Sequence, residues 1–182
     1  MDLKLYQITK EIYCVSIKNP YKLAMLFLRY QEYYESSNPD FQGKPFTILD
    51  FIDWYSVKYG KNKFTYGTDY VGFNIPQQII SDCWLKVKDH NKYDAIMYKI
   101  YYALRKQRCD NGYLIGIKEN PNDPKALWTF KHEIAHGLYM TNGDYRDTVQ
   151  KLLSKVDSKI KKHCYKAFKN YMYSKTVYED EL

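Results

Sequence analysis

The sequence predicts an α+β fold, a single and mainly helical domain that contains a small mixed or antiparallel sheet. Its 182 residues, 45% of them hydrophobic, are enough to bury one core without cross-links. Apolar residues at helical spacing occur in most segments, whereas short β-branched or aromatic runs occur in few. Neither a repeat nor a low-complexity linker divides the chain. We therefore expect residues 1–182 to form one domain whose acidic tail, 176–182, is frayed.

Turn residues separate the predicted elements of the first half of the chain. Asn19-Pro20 ends a β-branched stretch, and Gly60 follows a helix for which Thr47 is a good N-cap. The predicted elements are a strand over 13–17, helices over 21–35 and 47–59, and a possible hairpin of two short strands over 64–66 and 70–75.

The second half of the chain is predicted to be more helical. Pro76 is suited to open a helix, and Asp123-Pro124 to cap and start another. Asn142-Gly143 separates that helix from the next. The predicted elements are helices over 76–87 and 93–108, a strand over 112–118, a helix over 125–140 and a long helix over 144–173.

The charge of the chain permits binding to acidic partners, since its net charge is +7 and its pI about 9.0. Lysines are spread along the sequence, with a local cluster at Lys159, Lys161 and Lys162. A solvated helix face explains this cluster more economically than a nucleic-acid footprint, and no DNA- or RNA-binding motif accompanies it. Nucleic acid is therefore not an expected partner.

The cellular compartment follows from what the sequence lacks. No run of eighteen apolar residues predicts a membrane span, and the first residues do not have the layout of a signal peptide. The four cysteines form no CxxC pair and are predicted to be reduced thiols, mostly buried: Cys14, Cys83, Cys109 and Cys164. We expect a cytoplasmic protein with no membrane partner.

The motif HExxH at His132–His136 is the strongest chemical signal in the chain. Two histidines one helical turn apart can bind one Zn²⁺ ion through neutral imidazoles. An apolar stripe, Leu127, Phe130, Ile134 and Leu138, lies on roughly the opposite side of the predicted helix. The pair is therefore expected to face a cleft or solvent, with Glu133 close enough to act as a general base.

In these residues and in the strand that precedes them, the chain resembles the zincin metallopeptidases. The resemblance implies a zincin-like fold with the small sheet packed on the HExxH helix, a Zn²⁺ cofactor, and hydrolysis of a peptide or protein substrate through a metal-activated water. It also implies that strand 113–118, or the segment 70–75, forms a sheet edge that pairs with extended substrate. The metzincin extension, which needs a third histidine shortly after the pair, is absent.

A third metal ligand is expected, because zinc peptidases usually supply three protein ligands. In gluzincin-like members a glutamate about twenty residues on commonly completes the set, which here points to Asp157, 21 residues after His136. A close antiparallel helix hairpin would instead bring Asp144 or Asp147 nearer to the pair. Those two also fit as N-cap and first-turn acid of the last helix. Asp157 is slightly preferred, with Asp144 as the alternative.

Other candidate residues have simpler explanations than catalysis. Tyr139 and Tyr145 could stabilise an oxyanion, but packing explains them better in a chain with 21 tyrosines. His163 is expected in the core and His90 on the surface. The alternative to the enzyme is a non-catalytic metal-binding or basic interaction protein that docks an acidic partner.

Overall fold

A four-stranded mixed sheet lies at the centre of the fold. The computed structural model describes residues 2–106, 111–119 and 124–170. The sheet has the order β1-β2-β4-β3. β1 is antiparallel to β2, β2 is parallel to β4, and β3 is antiparallel to β4. The strands are β1 (Leu3–Gln7), β2 (Ile12–Ile17), β3 (Gly72–Pro76) and β4 (Tyr113–Lys118).

Helices make up most of the described chain, which confirms the expected α+β class and the mainly helical content. The cap predicted at Thr47 is confirmed, since its hydroxyl accepts a hydrogen bond from the Asp50 N–H at 3.1 Å. The helices are α1 (Pro20–Glu35), α2 (Ile48–Lys58), α3 (Tyr66–Asp69), α4 (Gln77–Lys86), α5 (Lys92–Lys106), α6 (Pro124–Thr141), α7 (Gly143–Leu153) and α8 (Ser158–Asn170). No helix in the described part of the chain combines the length and apolar character needed to cross a bilayer.

The predicted hairpin over 64–66 and 70–75 is wrong. Residue 66 begins the short helix α3, and β3 pairs with β4 instead of with a neighbouring strand. Packing against α1 explains the difference, because the Tyr66 side chain is fully buried and Gly67 lies directly against the backbone of Tyr21. Tertiary contacts therefore override the local preference of this aromatic segment for a strand.

The predicted long helix over 144–173 is also wrong, because the helix is interrupted between α7 and α8. Asp157 lies at the break, where its carboxylate accepts a hydrogen bond from the Lys159 N–H at 2.6 Å. A side chain that binds the backbone in this way starts a new helix rather than continuing the old one. Some predictions lie outside the described residues: the ends of the helices at 107–108 and 171–173, the cap at Asp123, and the frayed tail 176–182.

The two faces of the sheet are covered differently. The larger core lies on the α1 face, where a Cβ on Gly116 would lie 2.4 Å from the ring of Phe27. On the opposite face, α6 packs over Ile12 and Ile115 through Phe130, Ile134 and Leu138. The predicted apolar stripe of α6 is thus confirmed in three positions, whereas Leu127 is 55% exposed. The sheet therefore packs on the helix that carries the histidine pair.

Candidate metal centre

The two histidines of α6 converge on one point. Their Nε2 atoms are 3.1 Å apart, and their rings meet nearly at right angles with centroids 4.5 Å apart. Two nitrogens bound to one tetrahedral zinc ion at about 2.0–2.1 Å lie roughly 3.3–3.4 Å apart. A shift of a few tenths of an ångström would therefore let both rings bind one ion. The geometry equally fits a hydrogen bond from one ring to the other.

The close approach of α6 to the sheet decides how deeply the pair lies. A Cβ on Gly137 would lie 2.9 Å from Cδ1 of Ile12 and 3.3 Å from Cδ1 of Tyr113, so only glycine lets the helix sit this low. His136, next to Gly137, is buried as a result, whereas His132 is exposed one turn earlier. The pair therefore spans the boundary between the interior and solvent.

The carboxylate of Glu133 is buried between α6 and the sheet. Its side chain is 5% exposed, and Oε2 accepts a hydrogen bond from Nδ2 of Asn74 on β3 at 2.8 Å. The Tyr113 hydroxyl on β4 donates to Oδ1 of the same amide. Three elements thus contribute to one buried polar chain, Tyr113 to Asn74 to Glu133.

Gly72 makes room for this carboxylate. A Cβ at this position would lie 2.1 Å from Oε1 of Glu133 and 2.6 Å from Cγ2 of Thr129. Any larger residue would occupy the space that the carboxylate fills. Gly72 and Asn74 are two residues apart on β3 and therefore face the same side of the sheet.

Comparison with known proteins adds nothing to this motif. No family model, curated protein or solved structure matches the chain. The likeness to zincins therefore rests on the five residues of the motif and on the elements beside them.

The described residues do not supply a third ligand beside the pair. Within residues 2–106, 111–119 and 124–170, no group of three or more His, Cys, Asp or Glu side chains could hold a metal ion. Asp157, the preferred candidate, is exposed at the start of α8, and Asp144 is exposed in the first turn of α7. The structure brings the ring nitrogens of His132 and His136 together, and among the described residues neither aspartate forms a three-ligand group with them.

Cys14 is a neighbour of Glu133 that the motif does not include. Burial raises the pKa of its thiol to about 12, and the charge of Glu133 adds to that effect. Since the thiolate is the form that binds a metal, this cysteine is poorly suited to be a ligand.

The predicted substrate edge over 113–118 is wrong, because β4 lies between β2 and β3. The edge on this side of the sheet is β3, the second of the two candidate segments. The Gln77 N–H donates to the Gly112 carbonyl, on the β4 side, at 2.8 Å. Because the N–H groups of successive strand residues point alternately to opposite sides, the Asn74 N–H points away from β4. That N–H donates to Oε1 of Gln31 on α1 at 3.1 Å, and Pro76 has no N–H. An extended peptide thus finds no available donor at these two positions.

A cavity of about 270 Å³ lies where the C-terminal end of α6 meets the start of β4. Its lining includes Tyr113, which belongs to the polar chain, and Met140, one helical turn beyond His136. Pro76 closes it on the β3 side, and its lining contains no charged residue. A cavity of this size accommodates an uncharged side chain close to the candidate centre.

The two remaining histidines lie on or next to other helices, and the Tyr139 hydroxyl has a hydrogen-bond partner on α7. His163 is exposed on α8, so its predicted place in the core is wrong. His90 is exposed, as predicted, and stacks on Trp84 with ring centroids 3.7 Å apart. The Tyr139 hydroxyl accepts a hydrogen bond from Gln150 on α7 at 3.2 Å, which fits a structural role.

Proposed function

We propose that the protein is a zinc-dependent hydrolase of the metallopeptidase type, with His132 and His136 as metal ligands and Glu133 as general base. The observation that supports the proposal is the 3.1 Å separation of the two Nε2 atoms, on a helix that also carries the buried carboxylate of Glu133. Histidines that served only to pack would not need to converge nitrogen to nitrogen at the margin of the core. Peptide bonds are the proposed substrate because the motif and its helix resemble those of zincins.

The residues of the chain would divide the chemistry in a simple way. His132 and His136 would hold the zinc ion, which would polarise the substrate carbonyl and lower the pKa of a bound water to near 7. Glu133 accepts the proton of the attacking water and returns it to the departing amine. Gly137 and Gly72 let the carboxylate lie against the sheet, where bulk water does not compete for it. The uncharged cavity beside Tyr113 and Met140 accepts a side chain of the substrate.

Metal content is the first test. We expect one zinc ion per chain in the purified protein, and loss of that ion in His132→Ala and in His136→Ala. His163→Ala is the matched control, because it removes an exposed histidine from α8 and should leave the zinc content unchanged. A native protein that binds no zinc contradicts the proposal.

Hydrolysis is the second test, with a quenched fluorescent peptide library as substrate. Glu133→Gln should retain zinc and lose about 10²–10⁴-fold in turnover, the usual contribution of a general base. A Glu133→Gln protein that cleaves as fast as the native one excludes this residue as the base.

The same zinc-binding assay can identify the third metal ligand. If Asp157 or Asp144 completes the site when zinc binds, its change to Asn should weaken zinc binding at least tenfold. Asp50→Asn provides the matched control, because Asp50 is also an exposed first-turn aspartate but lies on α2. Equal zinc affinity in all three variants would mean that water or other residues occupy the remaining coordination positions of the zinc ion.

A non-catalytic protein that docks an acidic partner is the second candidate. Two observations favour it: the described residues hold no three-ligand cluster, and β3 offers few donors to a peptide. The C-terminal arm, residues 143–170, also carries eight basic and three acidic residues. Much of the positive charge of the chain therefore belongs to one segment.

Salt dependence distinguishes the two candidates. A basic surface that binds nucleic acid loses affinity steeply as salt rises, because counterions are released on binding. Changing Lys159, Lys162 and Lys166 together to Gln should then remove binding to a duplex or single strand. If zinc-dependent hydrolysis is present and no salt-dependent binding is found, the second candidate is excluded.

A further inference from the structure

We propose that Asn74, held by Tyr113, is the residue that positions Glu133 beside the histidine pair. This inference deepens the proposed function and rests on it for its catalytic meaning. The contacts that carry it are the hydrogen bond of 2.8 Å from Nδ2 of Asn74 to Glu133 and the bond from the Tyr113 hydroxyl to Asn74. Asn74 and Tyr113 lie outside the motif and on different strands.

The donors and acceptors of the three groups fit in one arrangement when the carboxylate is ionised. An ionised carboxylate only accepts hydrogen bonds, so the Asn74 amide must turn Nδ2 towards it. Oδ1 then faces the opposite way and needs a donor, which the Tyr113 hydroxyl provides. The carboxylate therefore decides which way the amide points, and the Tyr113 hydroxyl, by donating to Oδ1, holds the amide in that orientation.

Burial makes the polar chain from Tyr113 through Asn74 to Glu133 rigid. Asn74 is 7% exposed, Tyr113 is 1% exposed and Glu133 is 5% exposed, so water cannot readily replace any partner. A buried polar group that loses its partner costs about 1–3 kcal/mol, which opposes rotation of the carboxylate. On the other side of the carboxylate, Gly72 leaves space for Oε1 and none for a larger displacement towards β3. Both oxygens of the Glu133 carboxylate thus lie against β3, Oε2 at Asn74 and Oε1 at Gly72.

Three variants test the role. Asn74→Leu keeps the shape of the side chain and removes both hydrogen bonds, and Tyr113→Phe removes the hydroxyl alone. Tyr30→Phe is the matched control, since it removes a buried hydroxyl that bonds the Asp94 carbonyl in the core on the other face of the sheet. Each zinc-loaded protein is assayed for zinc affinity, kcat and KM on the peptide library.

We expect Asn74→Leu to lower kcat about 10–100-fold, the usual effect of losing a residue that orients a catalytic group. Its KM and zinc affinity should stay within about twofold of the native values, because the histidines and the cavity are unchanged. Tyr113→Phe should lower kcat by a smaller factor, and Tyr30→Phe should leave it unchanged. Native kcat in Asn74→Leu overturns the proposal, and so does an equal fall in zinc affinity, which indicates a merely structural role.

A second measurement does not depend on activity. In the zinc-free protein labelled with ¹⁵N, one asparagine side-chain amide should exchange slowly with solvent and disappear from the spectrum of Asn74→Leu. Its resonance should shift in Glu133→Gln and exchange faster in Tyr113→Phe. If no protein hydrolyses the library but these shifts occur, the proposed function fails while the positioning of Glu133 stands. A fast-exchanging Asn74 amide overturns the positioning itself.

Discussion

The buried carboxyl group of Glu32 should make the fold less stable as the pH rises through the range near neutrality. Glu32 lies on α1 and is 7% exposed, and its Oε1 accepts a hydrogen bond from the Tyr66 hydroxyl at 2.8 Å. Burial raises the pKa of this carboxyl from 4.5 to about 7, although hydrogen bonds with Ser36 and Tyr66 act in the opposite direction.

The direction and size of this pH effect on the free energy of unfolding follow from proton linkage. Between pH 4.5 and about 7 the folded protein binds a proton at Glu32 that the unfolded chain has released, so stability falls as the pH rises. Each pKa unit corresponds to about 1.4 kcal/mol, so the whole shift is worth on the order of 3 kcal/mol. The loss begins near pH 4.5 and is complete above pH 7 or so.

Glu32→Gln removes the titration and keeps the shape of the side chain. The amide can still accept from Tyr66 and donate to the Ser36 hydroxyl. Urea unfolding should therefore show Glu32→Gln to be more stable than the native protein by about 3 kcal/mol at pH 8. The difference should shrink to near zero at pH 4.

The matched control is Glu11→Gln, on the turn between β1 and β2, where a half-buried carboxyl is exchanged in the same way. This variant should follow the pH dependence of the native protein throughout. Equal stability of Glu32→Gln and the native protein at pH 8 would refute the reasoning, because it would mean that the buried carboxylate carries no cost.

Two further predictions concern residues that close packing or burial makes sensitive to change. Gly72→Ala should destabilise the protein by about 1–3 kcal/mol in urea unfolding, because its Cβ would lie 2.1 Å from Oε1 of Glu133 and would break the hydrogen bond that holds the carboxylate. Gly143→Ala is its control, because the new Cβ would lie 3.9 Å from Nη2 of Arg146, at ordinary contact distance, and equal stability of the two variants would contradict the packing argument. Arg29→Met should cost about 3–5 kcal/mol, because it leaves the carboxylate of Asp94 buried without the guanidinium that binds it at 3.1 Å. A loss below about 1 kcal/mol in the same assay would show that Asp94 finds other partners.

The helices were largely predictable because their signals are local. Thr47, Pro76 and the periodic apolar positions of α1 depend on neighbours within a few residues, and all appear as expected. The strand β1 was missed, because an exposed edge strand carries no strong apolar pattern. Its turn is held by the Thr9 hydroxyl, which accepts from the Ile12 N–H at 3.0 Å, a contact that composition does not reveal.

The candidate site was predictable only in its local part. The spacing of His132 and His136 indicates one face of one helix, and the structure places their nitrogens together. Asn74 and Tyr113 could not be found in this way, since they meet Glu133 only through the pairing of β3 with β4. One hint of these contacts was present in the sequence. Gly72 and Asn74 interrupt the otherwise mostly apolar predicted strand over 70–75, and such residues are unusual in the middle of a strand.

The parallel pairing of β2 with β4 has a consequence for how the centre forms during folding. It joins Ile12 to Tyr113, residues about a hundred positions apart, and such distant contacts slow the search for the native topology. The histidine pair belongs to one helix and can form early. The hydrogen bonds from Tyr113 to Asn74 and from Asn74 to Glu133 form only once β3 has paired with β4. In the proposed zinc hydrolase, affinity for the metal would thus precede catalytic competence on the folding pathway, and a zinc ion added during refolding would meet the two histidine nitrogens before the Glu133 carboxylate is in place.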